Sequence, residues 1–188
     1  MRGVVLVVLV TLRAAGEEPR LLPVLAAATS PRMAGEREYE GTYLYAGDDA
    51  ERRAVKAAVD RATERMFGKV IARDELMKRS EIRPSYTIHL EPPGMVCVET
   101  PGFPSERSPL DGTEVELRTK YGDVVKNSLQ FVGGALVERG RTDDGSGSTE
   151  FRLQADGRTL LVTRVSRSPR LPGVVEYTLT YRRQEAAH

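Results

Sequence analysis

The chain has 188 residues, 28 Lys plus Arg against 27 Asp plus Glu, and a hydrophobic share of 40%, which suits one soluble domain burying a single substantial core. Balanced charge indicates no general affinity for nucleic acid. The single Cys97 excludes an intramolecular disulfide and a Cys-rich metal framework, and the two histidines, His89 and His188, exclude a histidine triad and a multi-histidine metal site.

In chain order, Met1 and Arg2 supply positive charge ahead of a short apolar run over residues 3–12. That run is too short to span a bilayer comfortably but suits the core of a secretory signal. Small residues for cleavage follow at Ala14, Ala15 and Gly16, and again at Ala26, Ala27 and Ala28. Without a cysteine here, a lipoprotein signal is excluded. Residues 17–37 mix Pro, Ala and charge with no period, so 1–37 reads as a signal peptide and linker. Export to the periplasm or medium is expected, with no stable membrane span after processing.

Residues 39–46 alternate so that Tyr39, Tyr43 and Tyr45 share one side of an extended strand, with Gly41 as a gap between them. A helix start follows: Asp48 is placed to cap the first turn, and Glu51 to reach back to it. Val55, Val59, Ala62 and Met66 form an apolar stripe, with Arg52, Arg53, Lys56, Asp60 and Arg61 mostly elsewhere, so this helix should rest on something apolar. Gly68 marks a break, and residues 70–78 read as a second, shorter helix completing an αα-hairpin. Pro84 ends the helical reading. Tyr86, Ile88 and Leu90 then alternate with Ser85, Thr87 and His89, and Pro92, Pro93 and Gly94 turn the chain into a strand over 95–99. Cys97 lies within that apolar strand and reads as an inert core thiol.

Residues 100–112 are rich in Pro, Gly and Ser and read as a surface loop. From Glu114 onward short alternating runs are separated by turn signals at Gly122, Gly133–Gly134, 143–147 and Asp156–Gly157, the last a strong hairpin signal. The final run, 174–182, carries Val175, Tyr177, Leu179 and Tyr181 on one side. About nine or ten strands at this spacing predict a mainly β fold, a single antiparallel up-and-down β-barrel with a two-helix insert after the first strand. Pairing of the last strand with the first removes exposed edges. The barrel domain spans 38–184, and 185–188 form a disordered tail.

A Gly41-Thr42-Tyr43 first strand, a two-helix insert and an antiparallel meander resemble the calycin group. Within it, helices directly after the first strand are more similar to the fatty-acid-binding proteins than to the lipocalins. The likeness covers 39 to about 183, with Tyr43 standing where the family usually has Trp. The ending, Ser168-Pro169-Arg170-Leu171-Pro172 and then residues 177–182, also resembles small exported bacterial proteins of unassigned role. The lipocalin likeness implies that Arg182 or Arg183 sits over Tyr43 or Tyr45 in a barrel-closing position. Fatty-acid-binding proteins hold a carboxylate with an Arg-x-Tyr pair on the final strand. Here Tyr181 matches, but Leu179 stands where the arginine would be. Arg139, Arg152 and Arg164 are the nearest substitutes, so the resemblance does not carry fatty-acid binding with it.

No catalytic centre assembles from this inventory. His89 falls on the polar side of its strand, and Asp48 and Asp49 are better placed to cap a helix than to ligate a cation. The 143–147 turn lacks the later glutamate of a calcium loop, and Gly133–Gly134 precedes no helix. No cofactor, metal or enzymatic activity is expected. The expected role is binding of a small apolar or amphipathic ligand inside the barrel, with Tyr43, Tyr86, Phe131, Arg152, Tyr177 and Tyr181 as candidate contacts. The alternative is a structural or protein-interaction barrel whose interior is filled by its own side chains. A continuous cavity favours the first; interlocked Tyr, Phe and Leu side chains favour the second.

Overall fold

Gly41 bends the chain where the sequence suggests an unbroken strand. At φ +142° it adopts a backbone conformation that L side chains rarely take. The chain before it is therefore a short 3-10 helix, Arg37–Tyr39, and β1 runs only over Gly41–Tyr45. The computed structural model describes residues 35–66, 69–91 and 94–185. The expected signal region, nearly all of the linker, and residues 186–188 of the tail lie outside them.

After β1 come α1 (Asp49–Thr63) and α2 (Lys69–Arg79), then β2 (Ser85–Glu91), β3 (Met95–Glu99), β4 (Glu106–Pro109) and β5 (Val115–Arg118). The longer strands follow: β6 (Val124–Val132), β7 (Ala135–Thr142), β8 (Gly145–Leu153), β9 (Thr159–Arg167) and β10 (Val175–Arg183). They form one ten-stranded antiparallel sheet in the order β4-β3-β2-β1-β10-β9-β8-β7-β6-β5. The first and last strands pair as expected, Tyr43 opposite Arg183 and Tyr45 opposite Tyr181. The sheet curls into a nearly closed barrel whose seam lies between β4 and β5. Across it, the linking segment reaches β6 by a bridge from Asp111 to Gln130 and by Gly112 N donating to Leu129 O at 3.2 Å.

Asp48 caps α1 as its position suggested, its Oδ1 accepting from Ala50 N at 2.8 Å and Glu51 N at 3.1 Å. Glu51 does not reach back to complete the box. Its carboxylate instead accepts from Thr180 N at 3.0 Å and Thr180 Oγ1 at 2.6 Å. The reason is the short first strand: β1 stops beside Thr180, where Ala46 N takes the carbonyl, and the Thr180 amide needs an acceptor. From there α1 runs along β10, its far end at Ala62 touching the approach to that strand at Gly173. Val55, Ala58, Val59 and Ala62 are buried, and Arg73 of α2 ties the hairpin to Asp60 at 2.5 Å. No helix among the described residues is long and apolar enough to cross a membrane.

The antiparallel order puts the helices, the β3–β4 loop and the β5–β6, β7–β8 and β9–β10 connections at one end of the barrel. The 3-10 helix and the remaining hairpin turns occupy the other. The 100–112 stretch, read as a loop, contains β4, whose inward residues Glu106 and Ser108 pair with Val98 and Val96. Cys97 is buried but sits on the outer side of β3, opposite His89 and Arg107; burial pushes its thiol up from the ordinary range.

Candidate ligand-binding interior

Register assigns the inward residues strand by strand, since side chains alternate across each strand. Round the longer wall one row reads Phe131, Leu136, Phe151, Val162 and Leu179. The next row toward the helix end reads Leu129, Glu138, Thr149, Arg164 and Tyr177, and the one beyond it Asn127, Gly140, Gly147, Ser166 and Val175. The interior therefore changes from apolar to polar along the barrel axis. Accessibility follows it only in part. Leu136, Val162 and Leu179 are buried, Glu138 and Arg164 are partly accessible, and inward-facing Ser166 is exposed, whereas Asn127 and Val175 of the same outer row are buried. Solvent reaches the β8–β9 side of the polar end.

The apolar end is interlocked. Tyr86 meets Phe151 and Tyr181 edge-on at 5.1 Å and 5.0 Å between centroids, and Tyr39 meets Phe131 at 5.2 Å. Tyr39 plugs this end from the 3-10 helix, its hydroxyl donating to Gly134 O at 2.7 Å and accepting from Leu153 N at 3.1 Å. Three further tyrosine hydroxyls are spent on backbone: Tyr43 on Tyr39 O at 3.1 Å, Tyr181 on Arg83 O at 3.0 Å and Tyr177 on Ser80 O at 3.5 Å.

The polar end is built from different strands. Arg83, between α2 and β2, lies 3.8 Å from Glu106 of β4, both side chains largely buried. Burial, together with nearby Glu138, pushes the Glu106 carboxyl well above its usual range, against the pull of Arg83 and Arg164. Burial pulls the Arg164 guanidinium down, but Tyr177, Tyr86, Glu138 and Glu106 outweigh it and hold the charge on. The raised Glu106 carboxyl is also hydrogen-bonded to Glu138, whereas several other buried polar atoms of this end make no hydrogen bond to protein: Arg83 Nε, Ser108 Oγ, and both Oδ1 and Nδ2 of Asn127. Ser108 and Asn127 are 0% and 1% exposed, so their isolation is not relieved by bulk water.

Above the cluster, aromatic rings and cations stack across the end of the β4–β5 seam. Arg83 lies 4.4 Å from the Phe103 ring centroid, Lys120 lies 3.8 Å from the same ring, and Arg79 lies 5.3 Å from that of Tyr121. Tyr121 OH also donates to Lys78 O at 2.7 Å, joining the β5–β6 turn to the end of α2.

Of the six predicted contacts, Tyr43, Tyr86, Phe131, Tyr177 and Tyr181 all face the interior. Arg152 does not: it is exposed on the outer side of β8, 2.8 Å from Glu150. One residue on from inward-facing Phe151, alternation turns it to solvent. Arg139 is likewise outside, with Arg141 and Arg167 in a surface groove of about 350 Å³. Arg164 is the interior arginine among the three proposed substitutes. Glu106, Ser108, Asn127 and Glu138 escaped the sequence reading. For Asn127 a signal existed, since it falls in phase with Leu129 and Phe131; for β4 the Pro-rich surroundings concealed one.

No protein-family description matches the sequence, and no curated protein matches it significantly. Solved structures do match in fold. The fluorescent protein UnaG aligns over 79% of this chain and 98% of its own, with a TM-score of 0.53 and 18% identity. Lipid binding protein 8 of Caenorhabditis elegans aligns over 79% and 97%, with 0.51 and 10%. Zebrafish ileal bile acid-binding protein, solved with cholic acid, aligns over 78% and 99%, with 0.50 and 11%. At these identities the likeness shows the barrel fold alone and leaves the function to be argued from the site.

Proposed function

We propose that this barrel binds a small amphipathic molecule, its polar part at the Arg83–Glu106–Glu138–Arg164 cluster and its apolar part against the aliphatic wall beyond. The observation that carries the reading is the set of buried, unpaired polar atoms on Arg83, Ser108 and Asn127. Leaving one such group unpaired costs about 1–3 kcal/mol, so several inside one barrel have the character of a site rather than a core. Two of the proteins that share the fold, the ileal bile acid-binding protein and lipid binding protein 8, are binding proteins, which supports a non-catalytic reading. The leader-like residues 1–16 support export as the setting, a point that N-terminal sequencing from the native host addresses; an intact Met1 would count against it.

The interlocked Tyr86, Phe151 and Tyr181 rings favour a second reading, a side-chain-filled barrel that meets a protein partner on its outer surface. Native mass spectrometry of protein from its own host separates the two, combined with titration by the apolar fluorophore ANS. A retained small-molecule mass, or saturable one-to-one ANS binding, is expected. Neither retained mass nor saturable binding would move the assignment to the filled barrel.

A further inference from the structure

The charges and the unpaired atoms of the polar end specify more than "amphipathic", provided the binding reading above holds. Two cations and two carboxyl side chains meet there: Arg83 and Arg164 against Glu106 and Glu138. Burial and Glu138 hold the Glu106 carboxyl toward its neutral form, so the cluster is not charge-balanced, and charge alone does not reject an incoming carboxylate, which still sheds its hydration shell on entry. The discrimination falls to the uncharged polar atoms, which supply donors and acceptors together. Asn127 offers one free acceptor, Oδ1, and one free donor, Nδ2; Ser108 Oγ serves as either. Arg83 Nε adds a donor.

These atoms lie one inward position from the charges on neighbouring strands. Ser108 is two residues after Glu106 on β4, and Asn127 pairs with Gly140, two residues after Glu138 on β7. Asn127 Oδ1 packs against Gly140, where a Cβ would stand at ordinary contact distance, 3.6 Å, from Oδ1 but only 3.1 Å from Val125 Cγ1.

We infer that the ligand's polar end is an uncharged head carrying both hydrogen-bond donors and acceptors, of the glyceryl or primary-amide kind, on an apolar chain, and that Asn127 and Ser108 select it over a carboxylate. Such a head pays little desolvation and pairs groups that an anion leaves half-used, since a carboxylate offers acceptors alone.

The test uses two probes sharing one twelve-carbon chain, 1-monolauroylglycerol and laurate, each titrated calorimetrically below its micellar concentration, with ANS alongside. The wild type should prefer monolauroylglycerol by about tenfold or more, the factor that one well-made buried hydrogen bond supplies. Asn127→Leu should remove most of that preference by weakening monolauroylglycerol while leaving laurate within about twofold. Ser108→Ala, a smaller change that keeps the fold within reach, should reduce the preference in the same direction. Laurate binding as tightly as monolauroylglycerol, or a preference unchanged in both variants, overturns the head assignment. If ANS binds saturably but neither lauroyl probe does, the head assignment falls and the binding reading stands. If nothing binds, both fall.

Discussion

Arg183, the last residue of β10, donates from Nη2 to the Tyr43 hydroxyl at 2.6 Å, and its Cζ lies 5.2 Å from the centroid of the same ring. The guanidinium also reaches the carbonyl of Glu38, just ahead of Tyr39 in the 3-10 helix. One side chain thus ties the last strand, the first strand and the plug at the apolar end. Tyr43 is fully buried, and burial chiefly pushes its hydroxyl up from the ordinary tyrosine value despite Arg183, so the phenol stays neutral at physiological pH.

Arg183→Leu should therefore cost about 1–3 kcal/mol in urea unfolding, the range for a charge-assisted hydrogen bond lost beside a buried group. Tyr43→Phe keeps the ring beneath the cation and should cost about 1 kcal/mol. The two should couple in a double-mutant cycle. Additive losses would show that the contact adds nothing beyond its parts.

The helix stripe offers a sharper contrast. Val59 is fully buried, whereas Arg61, two residues on, is exposed. Val59→Asp places an unpaired carboxylate between α1 and the barrel and should cost a few kcal/mol, roughly 3 or more. Arg61→Asp should stay within about 0.5 kcal/mol of the parent. Chemical denaturation decides, and equal stabilities for the two variants would remove the docking of α1 from the account.

The barrel was legible because its evidence is local and repeated. Alternation at Tyr86, Ile88 and Leu90, or at Tyr177, Leu179 and Tyr181, names the inward face of a strand without knowledge of its neighbours. The cap at Asp48 was legible for the same reason, being a contact within one helical turn. Glu51 was not, because its true partner, Thr180, is 129 residues away and became available only where β1 ended early. The polar end escaped for a related reason. Glu106, Glu138 and Arg164 sit on three strands and converge by barrel closure, which no spacing in the chain encodes. Arg152 was offered as a substitute for the arginine missing from the final strand, against its own alternation with Phe151; the period was the better guide.

Closure by β10 has its own consequence. Val175, Tyr177, Leu179 and Tyr181 are buried, and the strand pairs with β1 on one side and β9 on the other. Deletion from Val175 onward bares two edges, frees Glu51 from Thr180 and strips α1 of the wall it lies along. Calorimetry of the truncated chain should show no cooperative transition. A sharp melt near the parent's temperature would contradict the closed arrangement.

Glu106 gives the pH dependence. Burial, with Glu138 alongside, holds its carboxyl well above the usual range in the folded protein, while in the unfolded chain it titrates near the ordinary value. Between those two values the folded state binds more protons than the unfolded state, so the unfolding free energy falls as pH rises. The stabilisation tied to Glu106 is whole below the ordinary carboxylate range and is lost as pH climbs through the raised folded value. Glu106→Gln keeps the shape and a hydrogen-bonding head but cannot ionise. Its stability should therefore decline less than the wild type's between about pH 5 and about pH 8, and the variant should gain on the wild type toward the alkaline end. Urea unfolding at several pH values in that window reads the difference directly. Parallel curves for wild type and variant would mean that Glu106 ionises in the folded barrel as it does in the unfolded chain, and the polar cluster would then be wetter than its burial implies.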